Sequence, residues 1–298
     1  MTDDARWAAA QTQRAKKKKR DKSNKRLLGP LEEVIYKQME ERNSHRDTDH
    51  LHPSEMAKAN WCLRQTFWKM QGLPESNPEV YNLRKMNIFA EGHNIHDKWQ
   101  EWLRAAGVLW GNWDCKWCGH RWEELSPSHC PECFEGPPKY AEVDLYDDKH
   151  KIMGHTDGWI KDAEGDALLE IKSVGIGTIR WEAPSMYEAY EHGDITLDDL
   201  WKRIRRPLAS HNRQIQLYMY VLGVPKAVVL YEWKPTQEVR EFHLELDMDV
   251  VQPLLDGALA VLDSMADLTV PLRPVDATGP TCNTCRFCNY REDCWSDD

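Results

Sequence analysis

Apolar residues recur at helical spacing between positions 83 and 106. Ile88, Ile95, Trp99, Trp102 and Leu103 lie on one stripe, so the pattern predicts a long helix there. Helical signals also cover residues 30–41 and 250–266, and Ser210–Leu222 carries an apolar face. Ser54 reads as the N-cap of a helix running to Met70, which Gly72-Leu-Pro would end. Residues 180–208 carry mixed helical signals. Alternation at period two predicts strands near 140–147, 151–161, 167–174, 227–234 and 239–246. Gly154–Ile160 and Leu168–Val174 would form adjacent strands across the polar turn 162–166. Helices flanking a central sheet place the chain in the α/β or α+β class.

With 298 residues, the chain has room for one large domain or two small ones. No apolar run approaches the roughly 18 residues of a membrane helix, and the N-terminus lacks the apolar stretch of a signal peptide. A cytoplasmic protein with no membrane partner is expected. The net charge of −10 hides an asymmetry. Residues 14–26 hold nine Lys or Arg and one Asp, a net of +8, so the rest carries −18 (−10 minus +8). Residues 1–27 therefore read as a disordered basic arm, and 28–298 as the folded domain. An acidic body excludes a globally basic nucleic-acid surface, so any DNA path must be locally lined.

Residues two apart in a strand share a face. Glu170 and Lys172 therefore point one way and Leu169 and Ile171 the other. A hairpin strand can bring Asp157 of Gly154-His-Thr-Asp157-Gly158 beside them. Two carboxylates and an ammonium on one sheet face suit a hard divalent cation and a water, the requirements of phosphodiester hydrolysis. An acid-x-Lys string also occurs at Glu232–Lys234, in another predicted strand, but no acidic residue lies between Asp199 and Glu232 to serve it. Gly92-His-Asn-Ile-His96 lies in the long helix, where His96 could be a further metal ligand. Gln214 and Tyr218, four residues apart, share a helical face.

In order and distance these strings resemble the RecB-like branch of the PD-(D/E)XK nucleases. That branch carries Gly-x-x-x-His, Gly-x-x-Asp, Glu-x-Lys and Gln-x-x-x-Tyr. Here they stand as Gly92/His96, Gly154/Asp157, Glu170-Ile-Lys172 and Gln214/Tyr218. The resemblance covers roughly residues 50–295 and implies a restriction-endonuclease-like α/β fold, a central mixed sheet flanked by helices. It implies a DNA exonuclease using Mg²⁺ or Mn²⁺ and acting on single-stranded or end-containing DNA. Asp157, Glu170 and the Ile171 carbonyl would hold the ion, and His96 would complete or tune the site. Lys172 would position water, and Gln214 and Tyr218 would orient the lysine or the DNA.

Nine cysteines in a cytosolic chain point to metal rather than disulfides. Cys115-x2-Cys118 and Cys130-x2-Cys133 have zinc-ribbon spacing, with four thiolates for tetrahedral Zn²⁺. They lie in a Cys-, Trp- and Pro-rich insertion over 110–138. Its Trp110, Trp113, Trp117 and Trp122 either stack on bases or cover a small core-poor module. The C-terminal segment 280–298 carries Cys282, Cys285, Cys288 and Cys294, a density that signals a metal or cluster.

This end resembles the iron–sulfur RecB-family nucleases, among them the CRISPR-associated adaptation exonuclease and the AddB-type nuclease domain. That resemblance implies a 4Fe–4S cluster on Cys62, Cys285, Cys288 and Cys294, stapling the two ends of the domain. The local set Cys282/285/288/294, and zinc in place of iron–sulfur, stay open. Recombination, repair or CRISPR-adaptation proteins would be partners, and a phage origin would place the protein in the host cytoplasm. The rival classes are a non-catalytic, metal-stapled module binding nucleic acid or protein, and an iron–sulfur electron carrier.

Overall fold

A computed structural model describes residues 27–44, 47–78 and 82–296. The basic arm read over residues 1–27 lies, up to residue 26, outside the described residues. The chain divides into two compact units, one of residues 1–47 and 80–90, the other of 48–79 and 91–298. The first contains helix α1 (Leu28–Ser44) and the opening turns of α4 (Leu83–Ala105). The second contains the sheet and everything that bears on chemistry.

The predicted helix from Ser54 to Met70 is two helices. Pro53 starts a single turn, α2 (Pro53–Met56), and α3 (Leu63–Met70) begins after Cys62 as its N-cap. Ser54 lies inside the first turn and is not the cap. The stripe on α4 is also narrower than its periodicity suggests. Ile95 is buried and Trp99 and Leu103 pack on the core, whereas Ile88 and Trp102 are exposed.

The strands among the described residues are β1 (Leu109–Asp114), β2 (Arg121–Leu125), β3 (Lys139–Ala141), β4 (Val143–Asp147), β5 (Ile152–Thr156), β6 (Gly158–Asp162), β7 (Gly165–Val174), β8 (Lys226–Trp233) and β9 (Glu238–Glu245). β1 and β2 arise where the pattern predicted no strand, and the strands expected over 140–147 and 151–161 are each divided in two. The main sheet runs β2-β1-β6-β7-β8-β9, with β3 also on β1, and β4 and β5 form a separate hairpin. β7 and β8 are parallel and their neighbours antiparallel, so the sheet is mixed. Between β7 and β8 run α5 (Ile176–Glu182), α6 (Pro184–Glu191), α7 (Leu197–Arg203) and α8 (Ala209–Leu222). Gly223 closes α8 in the left-handed conformation, at φ 67°. After β9 come α9 (Met248–Ala266) and the short α10 (Arg291–Cys294).

β7 and β8 are covered on both faces, so each carries apolar residues on both sides. On one face Leu168, Val174, Val229, Tyr231 and Trp233 pack with Ile215 and Met219 of α8 and Val251 and Leu255 of α9. On the other, Leu169, Ile171 and Leu230 pack with Ile95 of α4 and with Leu109 and Trp113 of β1. This is the α/β architecture expected from the pattern, a mixed sheet flanked by helices.

The stretch over 110–138 is not a module set apart from the sheet. Its first strand, β1, pairs with β6 through Leu109↔Ile160 and Trp110↔Trp159. Trp113 belongs to the core at 1 % exposure and donates its indole N–H to the Glu124 carbonyl at 2.9 Å. Of the four tryptophans there, Trp117 alone is largely exposed.

Candidate active site and cysteine centres

The predicted strand Gly154–Ile160 is broken in the middle, and the break makes the site. β5 ends at Thr156 paired with β4, and β6 starts at Gly158 paired with β7, so Asp157 lies where the chain changes sheets. Gly158 has φ +145°, and a Cβ there would lie 2.4 Å from the Tyr140 hydroxyl. Only glycine meets both demands. The β6–β7 ladder stops at Gly158↔Leu169. Beyond it β7 has a free edge, and the Ile171 N–H donates to Asp157 Oδ2 at 2.6 Å instead of to a strand. That bond pins the carboxylate beside Glu170 and Lys172.

His96 reaches Asp157 from α4, with Nδ1 3.0 Å from Oδ1. One turn on, Gln100 donates to the Asp157 carbonyl at 3.3 Å. Burial pulls the imidazole down, but the hydrogen bond and charge of Asp157 outweigh it and hold His96 above its ordinary range. Lys172 Nζ lies 2.6 Å from Glu170 Oε1 and donates to Gln214 Oε1 at 3.2 Å. Gln214 in turn donates to the Tyr218 hydroxyl at 2.6 Å. Every polar residue of the four motifs except the glycines thus enters two linked networks. Burial pushes Glu170 up to about 7, against the opposing pull of the Lys172 charge. The lysine stays above its usual range because the carboxylates of Glu170 and Asp157 overcome its own burial.

Among the described residues, ligand atoms of His96, Glu142 and Asp157 come within 4.8 Å of one another. Glu142 was not among the sequence candidates. It sits between β3 and β4 in an acid-rich stretch with no distinguishing spacing, and only folding carries it to Asp157. Desolvation, then the Asp157 charge, raises its carboxyl. Glu170 lies outside this trio, with Oε1 taken by Lys172. Its Oε2 is buried without a hydrogen-bond partner. An orphaned carboxylate oxygen beside a second carboxylate is a donor set that fits a hard cation.

The look-alike Glu232 occupies the opposite face of the sheet. It pairs with Ser173, one step out of phase with Lys172↔Tyr231. There Oε2 accepts from Lys98 Nζ and from the Trp99 indole, each at 2.6 Å. It anchors α4 through these two contacts.

The ribbon thiols converge. Cys115 and Cys133 sulfurs are 3.5 Å apart, and Cys118 and Cys130 are 3.7 Å apart. Four sulfurs about 2.3 Å from one tetrahedral ion stand roughly 3.8 Å from each other, so the set fits Zn²⁺. Backbone N–H groups of Trp117 and Cys118 point at the Cys115 sulfur. With the Cys118 bond the largest cause, they draw that thiol down to about 6.

Cys62, Cys285, Cys288 and Cys294 line one cavity together with Trp68, Arg273 and Trp295. Cys282 is absent from its wall. Burial raises the thiols of Cys62 and Cys288 and pushes Cys285 up to about 12. Four thiols gathered around one cavity are a donor set that fits a metal cluster, whose charge would offset the burial.

Comparison with protein-family models and with curated proteins finds no match. Solved structures do resemble the chain. The crystal structure of SSO0001 is 12 % identical, with 89 % of this chain and 95 % of that chain covered, at a TM-score of 0.40. An alkaline exonuclease (LHK-Exo) from Laribacter hongkongensis is 13 % identical, covering 74 % of this chain and 89 % of that one, at 0.40. Its complex with dAMP scores 0.38 at the same identity and coverage. Likeness at this level transfers neither a residue role nor an activity to this chain.

Proposed function

We propose that this protein is a metal-dependent DNA nuclease of the RecB-like PD-(D/E)XK type, acting as an exonuclease. The observation that carries the reading is the convergence of Asp157, Glu170 and Lys172 at the free edge of β7. His96 closes the site on one side and Gln214 with Tyr218 on the other.

Asp157, Glu170, His96 and the Ile171 carbonyl, joined by Glu142, would hold Mg²⁺ or Mn²⁺. Such an ion supplies Lewis-acid stabilisation of the phosphate and a more acidic water. Lys172 is held by two acceptors, Glu170 and Gln214, so its ammonium is aimed before substrate arrives. It orients the attacking water and counters charge that builds on the scissile phosphate. Lys172, a donor only, fixes the Gln214 oxygen toward itself and leaves the amide N–H for the Tyr218 hydroxyl. Cys62, Cys285, Cys288 and Cys294 would hold a 4Fe–4S cluster that staples α3 to the C-terminus, and the ribbon would hold structural Zn²⁺. The substrate is DNA with an end or a single-stranded stretch. The role is recombination, repair or processing in the cytoplasm, in a host cell if the gene is phage-borne. No helix among the described residues is long and apolar enough to cross a membrane.

Anaerobically purified protein should degrade end-labelled DNA only with Mg²⁺ or Mn²⁺ present, and Glu170→Ala should not, at unchanged iron content. DNA binding without a metal-dependent product in the wild type would sink the proposal.

A further inference from the structure

Two large aromatic side chains stand side by side on the surface of the second unit, unused by any site described above. Trp181 of α5 is 61 % exposed and Phe287, in the C-terminal cysteine loop, is 67 % exposed. Their rings meet edge to face at 5.9 Å and 86°. The Arg286 guanidinium lies 4.8 Å from the Phe287 ring and 6.0 Å from Trp181. Arg180 lies 5.9 Å from Trp181 and 5.6 Å from Tyr187 of α6.

Exposed apolar patches of this kind mark contact surfaces. Cation–π attraction explains why the arginines lie here, but both rings keep more than half of their area open. The body outside the basic arm is strongly acidic, so paired guanidiniums between open aromatic faces are a local exception. Flat π faces interleaved with cations match unstacked bases and their phosphates. A duplex hides its base faces, whereas a single strand presents them.

The position also suits this role. Three extended residues and most of the seven-residue α5 separate Trp181 from Lys172. At about 3.3 Å per extended residue and 1.5 Å per helical one, their backbones are no more than about 20 Å apart.

We propose that Trp181 and Phe287, with Arg180 and Arg286, form a stacking platform for a single DNA strand close to the Asp157–Glu170–Lys172 site. The proposal rests on the nuclease reading for its choice of DNA. Because Phe287 lies between Cys285 and Cys288, the cysteine centre would also hold part of this platform in place.

The test is fluorescence anisotropy of labelled oligo-dT on the full-length protein in divalent-free buffer, with cleavage measured separately. Trp181→Ala and Phe287→Ala should each weaken binding by about five- to a hundredfold. Arg180→Ala and Arg286→Ala should each flatten the salt dependence, by about 0.7 in the log–log slope. Leu272→Ala, at a site 90 % exposed, should bind as wild type. Circular dichroism and melting check that the variants stay folded. Blunt duplex binding should not change in any of them.

Wild-type affinity for oligo-dT in both aromatic variants, or equal losses on duplex, overturns the platform. If the wild type still cleaves DNA in that case, the nuclease reading stands. A wild type that neither binds nor cleaves DNA removes both.

Discussion

Replacing Lys172 with methionine separates the chemistry of the site from its contribution to folding. Lys172 is 19 % exposed, and its partner Glu170 is nearly sealed at 3 %. Breaking a buried pair ordinarily costs about 3–5 kcal/mol, because one charge is left uncompensated. Glu170 escapes most of that at neutral pH. Its carboxyl stands at about 7 in the fold, against about 4.3 in an unfolded chain. At pH 7 the wild-type protein already holds this carboxyl about half protonated, so losing Lys172 and protonating it fully adds less than about 1 kcal/mol. The raised acid keeps a proton that the unfolded chain has released, so stability falls as pH rises. In the variant the fall continues at about 1.4 kcal/mol per unit, because the Lys172 cation no longer favours the charged form. By pH 9 the gap to wild type reaches roughly 3 kcal/mol.

Urea unfolding in divalent-free buffer at pH 7 and pH 9 measures this, and a labelled-DNA assay with Mn²⁺ measures the chemistry. Cleavage should drop by at least about 10²–10³-fold, the loss usual for one aimed electrostatic donor. Glu232→Gln is the control from the other face of the sheet, and its cleavage should be unchanged. Equal destabilisation of Lys172→Met at both pH values would refute the account of Glu170. Full cleavage by that variant, or its loss in a folded Glu232→Gln, would refute the site.

Acid stability should depend on His211. The Tyr231 hydroxyl accepts from the Leu208 N–H at 2.9 Å and lies 2.6 Å from His211 Nδ1. Burial, then the Lys172 charge, draws His211 down to about 3. The unfolded chain therefore takes up a proton that the fold refuses between about pH 6.5 and 3. Stability should fall across that window as pH drops, by about 1.4 kcal/mol per unit, and His211→Gln should flatten this slope in urea titrations. The cysteine assignment is checked by metal analysis and visible absorbance of anaerobic protein. Cys62→Ser should lose the cluster while Cys282→Ser keeps it, and the reverse pattern would move the cluster to the local C-terminal set.

Much of this site is legible along the chain, because strands and helices repeat with fixed periods. Glu170 and Lys172 had to share a face of one strand, and Gln214 and Tyr218 one face of a helix. The spacing of Cys115, Cys118, Cys130 and Cys133 likewise announces a tetrahedral set. Local rules could not show that Asp157 marks a change of sheet. Nor could they show that Ser54 lies inside a turn rather than capping a long helix. The first depends on what the backbone meets later: Tyr140 at Gly158, and the free edge of β7 at Ile171. In the second, Pro53 starts the turn and the next helix begins anew after Cys62. Glu142 carries no sequence signal and reaches His96 and Asp157 only through the β3–β4 junction. Register puts Glu170/Lys172 and Glu232/Lys234 on opposite faces of the sheet. One residue of phase between parallel strands turns Glu232 to the α4 face, where Lys98 and Trp99 occupy it. Periodicity assigns a side chain to one of two faces, and packing alone decides which face holds the site.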